Sequence, residues 1–402
     1  MVMGLQFVKE TSFGNNFVIV DETQRRELPE DCKQKFAYLA TNQNFGIGCD
    51  NFLVVQPCTP QVLEEINEYH HYWPSRPDTN GAQYIFRMFE PDGSEAFSCG
   101  NGLMCVADYL SKQHGINSTR IMTEIPTHQP KTVSIGSNRN ETTTWANLGH
   151  PRRVSPSQAA LGVRTRYDED MDLIEHLEIS GFRKSDGTQF FNNRTSLSIR
   201  GYLVSTGEPH LVVFTDQGFS IPGLSHLIFP DGRESDTKTS GMEKRRSTSS
   251  ALVDFIGHYF ARVHKKLFPA GININFVRYV KEANALEYRC FERGINRETL
   301  ACGTGAMATA IVAERLGIVS GHNITVWPHR CRWHDEEAAI QVQKNSEGWM
   351  LIGRPVMLCR GMFNSERMIP EQTIPCDDLP KTAVPYSFGQ FAMPALSQVM
   401  TS

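Results

Sequence analysis

Short apolar runs separated by turn residues dominate the first hundred positions. Leu5-Gln6-Phe7-Val8 and Phe17-Val18-Ile19-Val20 flank the turn-forming stretch Ser12 to Asn16, which predicts strand, turn, strand. Asn51 to Val55 is a further apolar run. Tyr84-Ile85-Phe86-Arg87-Met88-Phe89 is rich in β-formers and leads into Pro91-Asp92-Gly93, a strong turn signal. The period then lengthens. Val106 to Lys112 reads as a helix ending near Gly115, and Ala251 to Phe268 puts Leu252, Phe255, Ile256, Tyr259, Phe260 and Val263 on one helical face. Pro151 to Asp186 is polar and mixed. Asp231 to Ser250, rich in Ser, Thr, Lys and Arg, reads as a mobile insertion. After Phe363 prolines accumulate and periodicity is lost, as in an extended tail.

One pattern occurs twice. Arg87-Met88-Phe89-Glu90 is followed by Glu95-Ala96-Phe97-Ser98-Cys99-Gly100-Asn101-Gly102. Arg289-Cys290-Phe291-Glu292 is followed by Glu298-Thr299-Leu300-Ala301-Cys302-Gly303-Thr304-Gly305. Each copy reads strand, turn, C-G-x-G, helix, the helices running from Val106 and from Ala306 to Leu316. Two copies are too few for a solenoid. They predict two similar halves facing each other, each presenting one cysteine.

Composition adds boundaries. The chain has 402 residues, 40% hydrophobic and 21% charged, which excludes collagen-like, coiled-coil and wholly disordered classes and allows two or three domains. A net charge of −4 disfavours nucleic acid as the main partner, and Lys244-Arg245-Arg246 reads as a solvated loop. No apolar run reaches the length of a membrane span. The first ten residues, with Lys9 and Glu10, do not resemble a signal peptide. Ten cysteines without a C-x-x-C pair fit reduced thiols of a cytoplasmic protein better than a disulfide framework.

A cysteine at a helix start has special chemistry. The first N–H groups of a helix lack partners in the chain, the dipole adds partial positive charge, and glycines admit a ligand closely. Such a site binds a carboxylate, and the same field lowers a thiol pKa. Two such starts facing each other would hold one carboxylate jointly, with a sulfur on each side of the attached carbon. One thiolate could remove the Cα proton and the opposite thiol could return one, inverting the centre without a cofactor. Cys32, Cys49, Cys58, Cys105, Cys290, Cys331, Cys359 and Cys376 instead read as small buried hydrophobes. Pro328-His329-Arg330-Cys331-Arg332-Trp333-His334 has no zinc-like spacing and reads as a turn between strands, and His70-His71 carries no metal signal. No metal, nucleotide or pyridoxal phosphate motif is present.

These residues resemble the diaminopimelate epimerase family of cofactor-independent amino-acid epimerases and racemases, over about Leu5 to Phe363. The resemblance is carried by Phe13-Gly14-Asn15-Asn16-Phe17, Phe45-Gly46-Ile47-Gly48-Cys49-Asp50-Asn51 and Asp92-Gly93-Ser94-Glu95 with Cys99-Gly100-Asn101-Gly102. Gly207-Glu208-Pro209-His210, Asn273, Glu292-Arg293-Gly294 and Cys302-Gly303-Thr304-Gly305 complete it. It implies an α/β (α+β) fold of two pseudo-symmetric domains, each a curved mixed or antiparallel sheet around a central helix, with the active site in the cleft between them. The halves would be 1–149, carrying Cys99, and 150–353, carrying Cys302. The stretch 354–402 would return a final strand to the first half and continue as a tail. Long insertions would lie near Pro57 to Ala82, Pro151 to Arg200 and Thr215 to Ala270. Cys99 and Cys302 would be the acid/base pair. Gly100, Asn101, Gly303 and Thr304 would hold the reacting carboxylate. Asn15, Asn51, Glu90, Glu208, Asn273, Glu292 and Arg293 would bind the rest of the substrate, and His210 and Glu292 would tune the thiols. The partner implied is a small amino acid, with a homodimer left open.

The departures from the family pattern concern the substrate. Glu90 and Glu208 stand where the family commonly has Asn at positions contacting the far end of diaminopimelate. Asn16 replaces Asp and Ser12 replaces the first Gly of the opening motif. Two added carboxylates would repel a distal carboxylate and favour a cationic or hydrogen-bond-donating side chain, as in lysine, ornithine, arginine or histidine. Retained Arg293 argues the other way unless Glu208 or Glu90 pairs with it. Diaminopimelate epimerisation, a dithiol redox pair and a non-catalytic amino-acid-binding homologue are the competing readings.

Overall fold

The computed structural model describes residues 4–160, 162, 164–180, 196–221, 223–230 and 248–364. The chain opens with a hairpin, β1 (Leu5–Ser12) and β2 (Asn15–Asp21). Its two-residue turn has Phe13 at φ 51° and Gly14 at φ 86°, the pairing of positive φ values that follows the twist of a tight hairpin. After α1 (Glu30–Thr41), β3 (Asn51–Pro57) lies parallel to β2. After α2 (Pro60–His70), β4 (Tyr84–Phe89) lies antiparallel to β3. The short β5 (Glu95–Ala96) folds back on β4 and feeds α3 (Gly100–His114). β6 (Ser118–Thr123) returns parallel to β4, and β7 (Lys131–Asn138) and β8 (Thr143–Gly149) extend the sheet antiparallel.

The second half repeats this run. It begins with β9 (Thr165–Arg166) and β10 (Met171–Ser180). β11 (Ser196–Ser205) and β12 (Pro209–Phe214) are antiparallel. α4 (Leu224–Ile228) and α5 (Thr248–Arg262) precede β13 (Asn273–Val280), which is parallel to β12. β14 (Ala285–Glu292), short β15 (Arg297–Glu298), α6 (Gly303–Arg315), β16 (Asn323–Pro328), β17 (Ile340–Asn345) and β18 (Gly348–Gly353) follow with the same parallel and antiparallel relations. β8 and β18, equivalent in the two runs, pair antiparallel with each other. The outer edges match as well: β10 borders β11, and β19 (Val356–Phe363) borders β1.

Each sheet curves around one buried helix. Gly100 to Ser111 of α3 and Gly303 to Ala313 of α6 are buried throughout, the environment that an all-round apolar helix requires. One core cluster runs through both helices, from Leu103 and Val106 to Ala306 and Ile311. α5 covers the outer face of the second sheet through Leu252, Ile256 and Phe260, and α1 covers the first through Phe36 and Ala37. Behind each cysteine loop lies a buried ion pair. Arg87 binds Glu95 at 2.6 Å and Glu30 at 2.5 Å, and Arg289 binds Glu298 at 2.5 Å.

Several sequence expectations shift. The helix read from Val106 begins at Gly100, because its first turn is glycine-rich and carries no apolar period. The helix read as Ala251 to Phe268 ends at Arg262, although Phe268 still packs against Phe260. The polar, mixed stretch Pro151 to Asp186 contains β9 and β10. Polar Asp172 on β10 is buried because Arg153 and Arg164 neutralise it. The turn read at Pro328 to His334 contains a short 3-10 helix, Cys331–Trp333. The greater part of the insertion at Asp231 to Ser250, with Lys244-Arg245-Arg246, lies outside the described residues. So do the tail beyond residue 364 and Cys376. Among the described residues no helix is long and apolar enough to cross a membrane.

Candidate active site

The two central helices begin at the same cleft. Cys99 and Cys302 are their N-cap residues, both in extended backbone, and each Sγ accepts a hydrogen bond from the glycine N–H three residues on, Gly102 and Gly305, at 3.4 Å. The first helical bonds run from Leu103 N–H to the Cys99 carbonyl and from Ala306 N–H to the Cys302 carbonyl, at 2.9 Å. The N–H groups of Gly100, Asn101, Gly303 and Thr304 therefore lie outside the helical ladder and are available to an anion. The helix starts nearly touch. A Cβ on Gly100 would sit 3.6 Å from Gly303 Cα, and one on Gly303 would sit 3.0 Å from Asn101 Oδ1. A side chain on Gly100 would also come within 2.5 Å of Leu351 Cδ1, so the neighbouring side chains would have to shift.

A cavity of about 660 Å³ lies over this junction. Asn15, Asn51, Glu90, Cys99, Gly100, Asn101, Glu208, Asn273, Glu292, Arg293, Cys302, Gly303 and Thr304 all line it. Of the residues singled out in the sequence, only His210 does not. It is fully buried on β12, behind Thr304. Its Nδ1 meets Asn275 Nδ2 at 3.1 Å, and its Nε2 meets Thr304 Oγ1 at 3.1 Å. With Asn275 donating, Nε2 carries the proton and donates to Thr304. The Thr304 hydroxyl is then free to donate to Cys302 Sγ, 3.4 Å away. Burial, with Arg293 adding to it, pulls the His210 imidazole down to about 3, so it acts as a neutral donor.

The two sulfurs differ in how readily they lose a proton. The neighbouring Cys290 thiol, then hydrogen bonds from Thr304 and the Gly305 N–H, hold the Cys302 thiol below its ordinary value against burial. Burial pushes Cys99 far up, and the charge of Cys302 adds to this. The expectation that the helix dipole lowers both thiols is therefore corrected for Cys99, whose desolvation outweighs a single N–H bond. Glu292 accepts a hydrogen bond from Thr299 Oγ1. Burial, reinforced by Cys302, raises its carboxyl well above the ordinary carboxylate value.

Besides Cys99 and Cys302, the cavity is lined by the carboxylates Glu90, Glu208 and Glu292 and by two arginines, Arg293 and Arg297. Arg293 Nε donates to Glu208 Oε2 at 2.8 Å, and Nη2 donates to the same oxygen. Arg293 Nη1 binds the Ala270 carbonyl, and its backbone N–H binds Asn273 Oδ1, both at 2.9 Å. The guanidinium is thus already partnered. Burial raises Glu208 while Arg293 opposes the rise. Asn51 Nδ2 donates to Glu90 Oε2 at 2.8 Å. Burial pushes Glu90 up to about 7, with Asn51 pulling the other way.

Three neighbours of Cys302 escaped the sequence reading. Tyr288 clamps its backbone, accepting from the N–H at 2.8 Å and donating to the carbonyl at 2.9 Å. Asn275 orients His210. Cys290, read as a buried hydrophobe, has its Sγ within 4.8 Å of both Cys302 Sγ and a Glu292 oxygen. The alignment of the two repeats does carry a signal for Cys290, because it stands opposite Met88.

Comparison with known proteins agrees with this architecture. The diaminopimelate epimerase family model matches residues 7–129. A diaminopimelate epimerase of Methanothrix thermoacetophila is 30% identical over 371 residues, covering 90% of this chain and 97% of the relative. One of Archaeoglobus fulgidus is 27% identical over 319 residues, covering 79% of this chain and 84% of the relative. Among solved structures, a hydroxyproline epimerase from Agrobacterium vitis, with bound trans-4-hydroxy-L-proline, aligns with a TM-score of 0.50 at 11% identity, covering 89% of this chain and 92% of that one. A probable proline racemase from Agrobacterium radiobacter aligns with the same score at 10% identity and the same coverage.

Proposed function

The chain belongs to the diaminopimelate epimerase family of cofactor-independent epimerases and racemases, and from that premise we propose that it inverts the Cα of an amino acid by a two-thiol mechanism with Cys302 and Cys99 as base and acid. The observation that carries this reading is the meeting of two helix N-termini, each capped by a cysteine, over one cavity. The substrate carboxylate sits on the N–H groups of Gly100, Asn101, Gly303 and Thr304, with Asn15 and Asn101 at its rim. The Cys302 thiolate takes the Cα proton, breaking C–H and forming S–H. Electron density flows into the carboxylate, where fixed donors stabilise it, each worth about 3 kcal/mol in comparable sites. The Cys99 thiol then delivers its proton to the opposite face. The product leaves Cys302 protonated and Cys99 as thiolate, and exchange with solvent resets the pair. His210, through Thr304, supports the negative sulfur.

For the substrate we propose a basic amino acid such as lysine, ornithine, arginine or histidine. Glu90 and Glu208 line the distal cavity, and Arg293, the group that would favour a distal carboxylate, is tied to Glu208. The second reading is diaminopimelate, favoured by the name of the relative at 30% identity. Incubation with a panel of L-amino acids and LL-diaminopimelate in deuterated water, under reducing conditions, tests both levels. Cα exchange with inversion of a basic amino acid is expected. Turnover of LL-diaminopimelate alone would overturn the substrate assignment. Cys99→Ser and Cys302→Ser should each abolish inversion in a folded protein, and unchanged turnover in either would overturn the mechanism. Solvent deuterium at Cα without net oxidation separates this chemistry from a dithiol redox reaction.

A further inference from the structure

Cys290 and Glu292 are two apart on β14 and so share a face of the sheet. That face meets the start of α6. Cys290 Sγ, Cys302 Sγ and a Glu292 carboxylate oxygen all lie within 4.8 Å of one another, and Cys290 is 1% exposed. In the first repeat, Arg87, Phe89 and Glu90 match Arg289, Phe291 and Glu292, but Met88 stands where the second has Cys290. Met88 lines the same cleft. A thioether has no hydrogen to donate, whereas a thiol has one. The repeat therefore breaks at a position packed against the reacting sulfur.

We propose that Cys290 is a positioning residue: its thiol donates a hydrogen bond to Cys302 Sγ and so selects Cys302, rather than Cys99, as the sulfur that enters the cycle without its proton. This rests on the reading that both cysteines exchange protons with substrate. The groups facing Cys302 are few. From α6 come the Gly305 N–H and the Thr304 hydroxyl. From β14 come Cys290, Glu292 and Tyr288, the last spent on the backbone of Cys302. Cys99 stands at the start of α3, and Glu208, paired to Arg293, precedes β12. His210 acts only through Thr304. Burial raises both the Cys290 thiol and the Glu292 carboxyl well above their ordinary values, which favours a thiol that donates and a carboxyl that adds little repulsion. Among the described residues, Cys99 Sγ accepts from the Gly102 N–H alone. The residue in its repeat that matches Thr304 is Asn101, whose amide is turned to Asn15 and the Ala301 carbonyl.

The test is the pH dependence of Cys302 alkylation by iodoacetamide, read by peptide mass spectrometry on the full chain. Cys290→Ala leaves a void and Cys290→Val fills it, so a shift common to both reports loss of the donor and not repacking. On the acid side of the wild-type curve, both should alkylate Cys302 about tenfold more slowly, the size of one hydrogen bond to a charged group. Cys290→Ser, which keeps a donor, should restore most of the rate. A wild-type curve in both the Ala and Val variants would overturn the proposal. In steady state the acid limb of kcat/KM should move up equally in both directions, because the two thiols titrate as a pair. If alkylation shifts while that limb stays fixed, or if Cys302→Ser still inverts substrate, the two-thiol reading fails and the hydrogen bond stands.

Discussion

Glu208→Asn should convert the distal cavity from repelling a carboxylate to accepting one. In the wild type, the guanidinium of Arg293 spends Nε and Nη2 on a single oxygen of Glu208. Nη1 and the backbone N–H of Arg293 have separate anchors at Ala270 and Asn273. Removing Glu208 therefore frees two donors without freeing the side chain to wander. A hydrogen bond to a charged group is worth about 1.5–3 kcal/mol. The pair is about one-sixth exposed, 17% and 15%, which argues for the lower half of that range. About 2 kcal/mol gained toward a distal carboxylate, at about 1.4 kcal/mol per tenfold, is roughly a thirtyfold gain in specificity. The ratio of kcat/KM for LL-diaminopimelate over lysine should rise by at least that much, since the cationic substrate also loses an attractive charge. Deuterium wash-in at Cα, measured for each substrate alone, gives the ratio directly. Thermal melting must accompany it, because a half-buried arginine left without its carboxylate destabilises the fold. A ratio unchanged within about twofold in a folded variant would refute the argument that Glu208 masks Arg293.

Two further predictions concern carboxyls that burial holds protonated. Glu90 loses its proton near neutrality, at about 7, so KM for a basic amino acid should fall as pH rises through that value and then level off. Glu90→Gln should remove the fall, and a wild-type profile in that variant would show another group to be responsible. Glu10, on β1, is fully buried and neither of its oxygens has a hydrogen-bond partner. Burial, with Asp108 adding to it, pushes it up to about 8. The folded state thus keeps a proton that the unfolded chain releases at the ordinary carboxylate value. Stability should fall as pH rises from that value to about 8, by on the order of a few kcal/mol. Glu10→Gln should flatten the dependence of Tm on pH over this window, and parallel curves for variant and wild type would refute it.

The readable parts of the sequence were those set by local pattern. Apolar runs bounded by turns placed β1, β2, β3 and β4 within a few residues, because strand burial and turn geometry act over short spans. The repeated C-G-x-G located both cysteines, because a helix start packed closely against the other helix start leaves little room for a side chain. The helix starts themselves were misplaced by six and three residues, since Gly100 to Cys105 and Gly303 to Gly305 follow the demands of the cleft and not of an amphipathic face. β10 was missed for a related reason. Its polar Asp172 is neutralised by Arg153 and by Arg164, which are distant in sequence. Asn275 and Tyr288 have no motif at all, and Cys290 shows only as a break in the repeat; only their neighbours across the sheet and at the start of α6 bring them to Cys302.

What the two halves share and where they part divides support from chemistry. Arg87 with Glu95 and Arg289 with Glu298 brace equivalent loops with buried ion pairs, and each loop delivers a cysteine to a helix cap. On the proposed two-thiol mechanism that bracing must be duplicated, because a planar intermediate attacked from both faces needs both sulfurs at matching reach. Charge cannot be duplicated in the same way. Two thiolates flanking one buried site would repel, and two thiols would contain no base. Something must break the tie. In this chain the differences fall next to the sulfurs: thiol for thioether at Cys290 and Met88, hydroxyl for amide at Thr304 and Asn101. Both changes add a donor on the side of Cys302 and none on the side of Cys99. A scaffold built twice thus carries its asymmetry in two side chains, and exchanging Met88 and Cys290 between the halves should move the first proton loss toward Cys99.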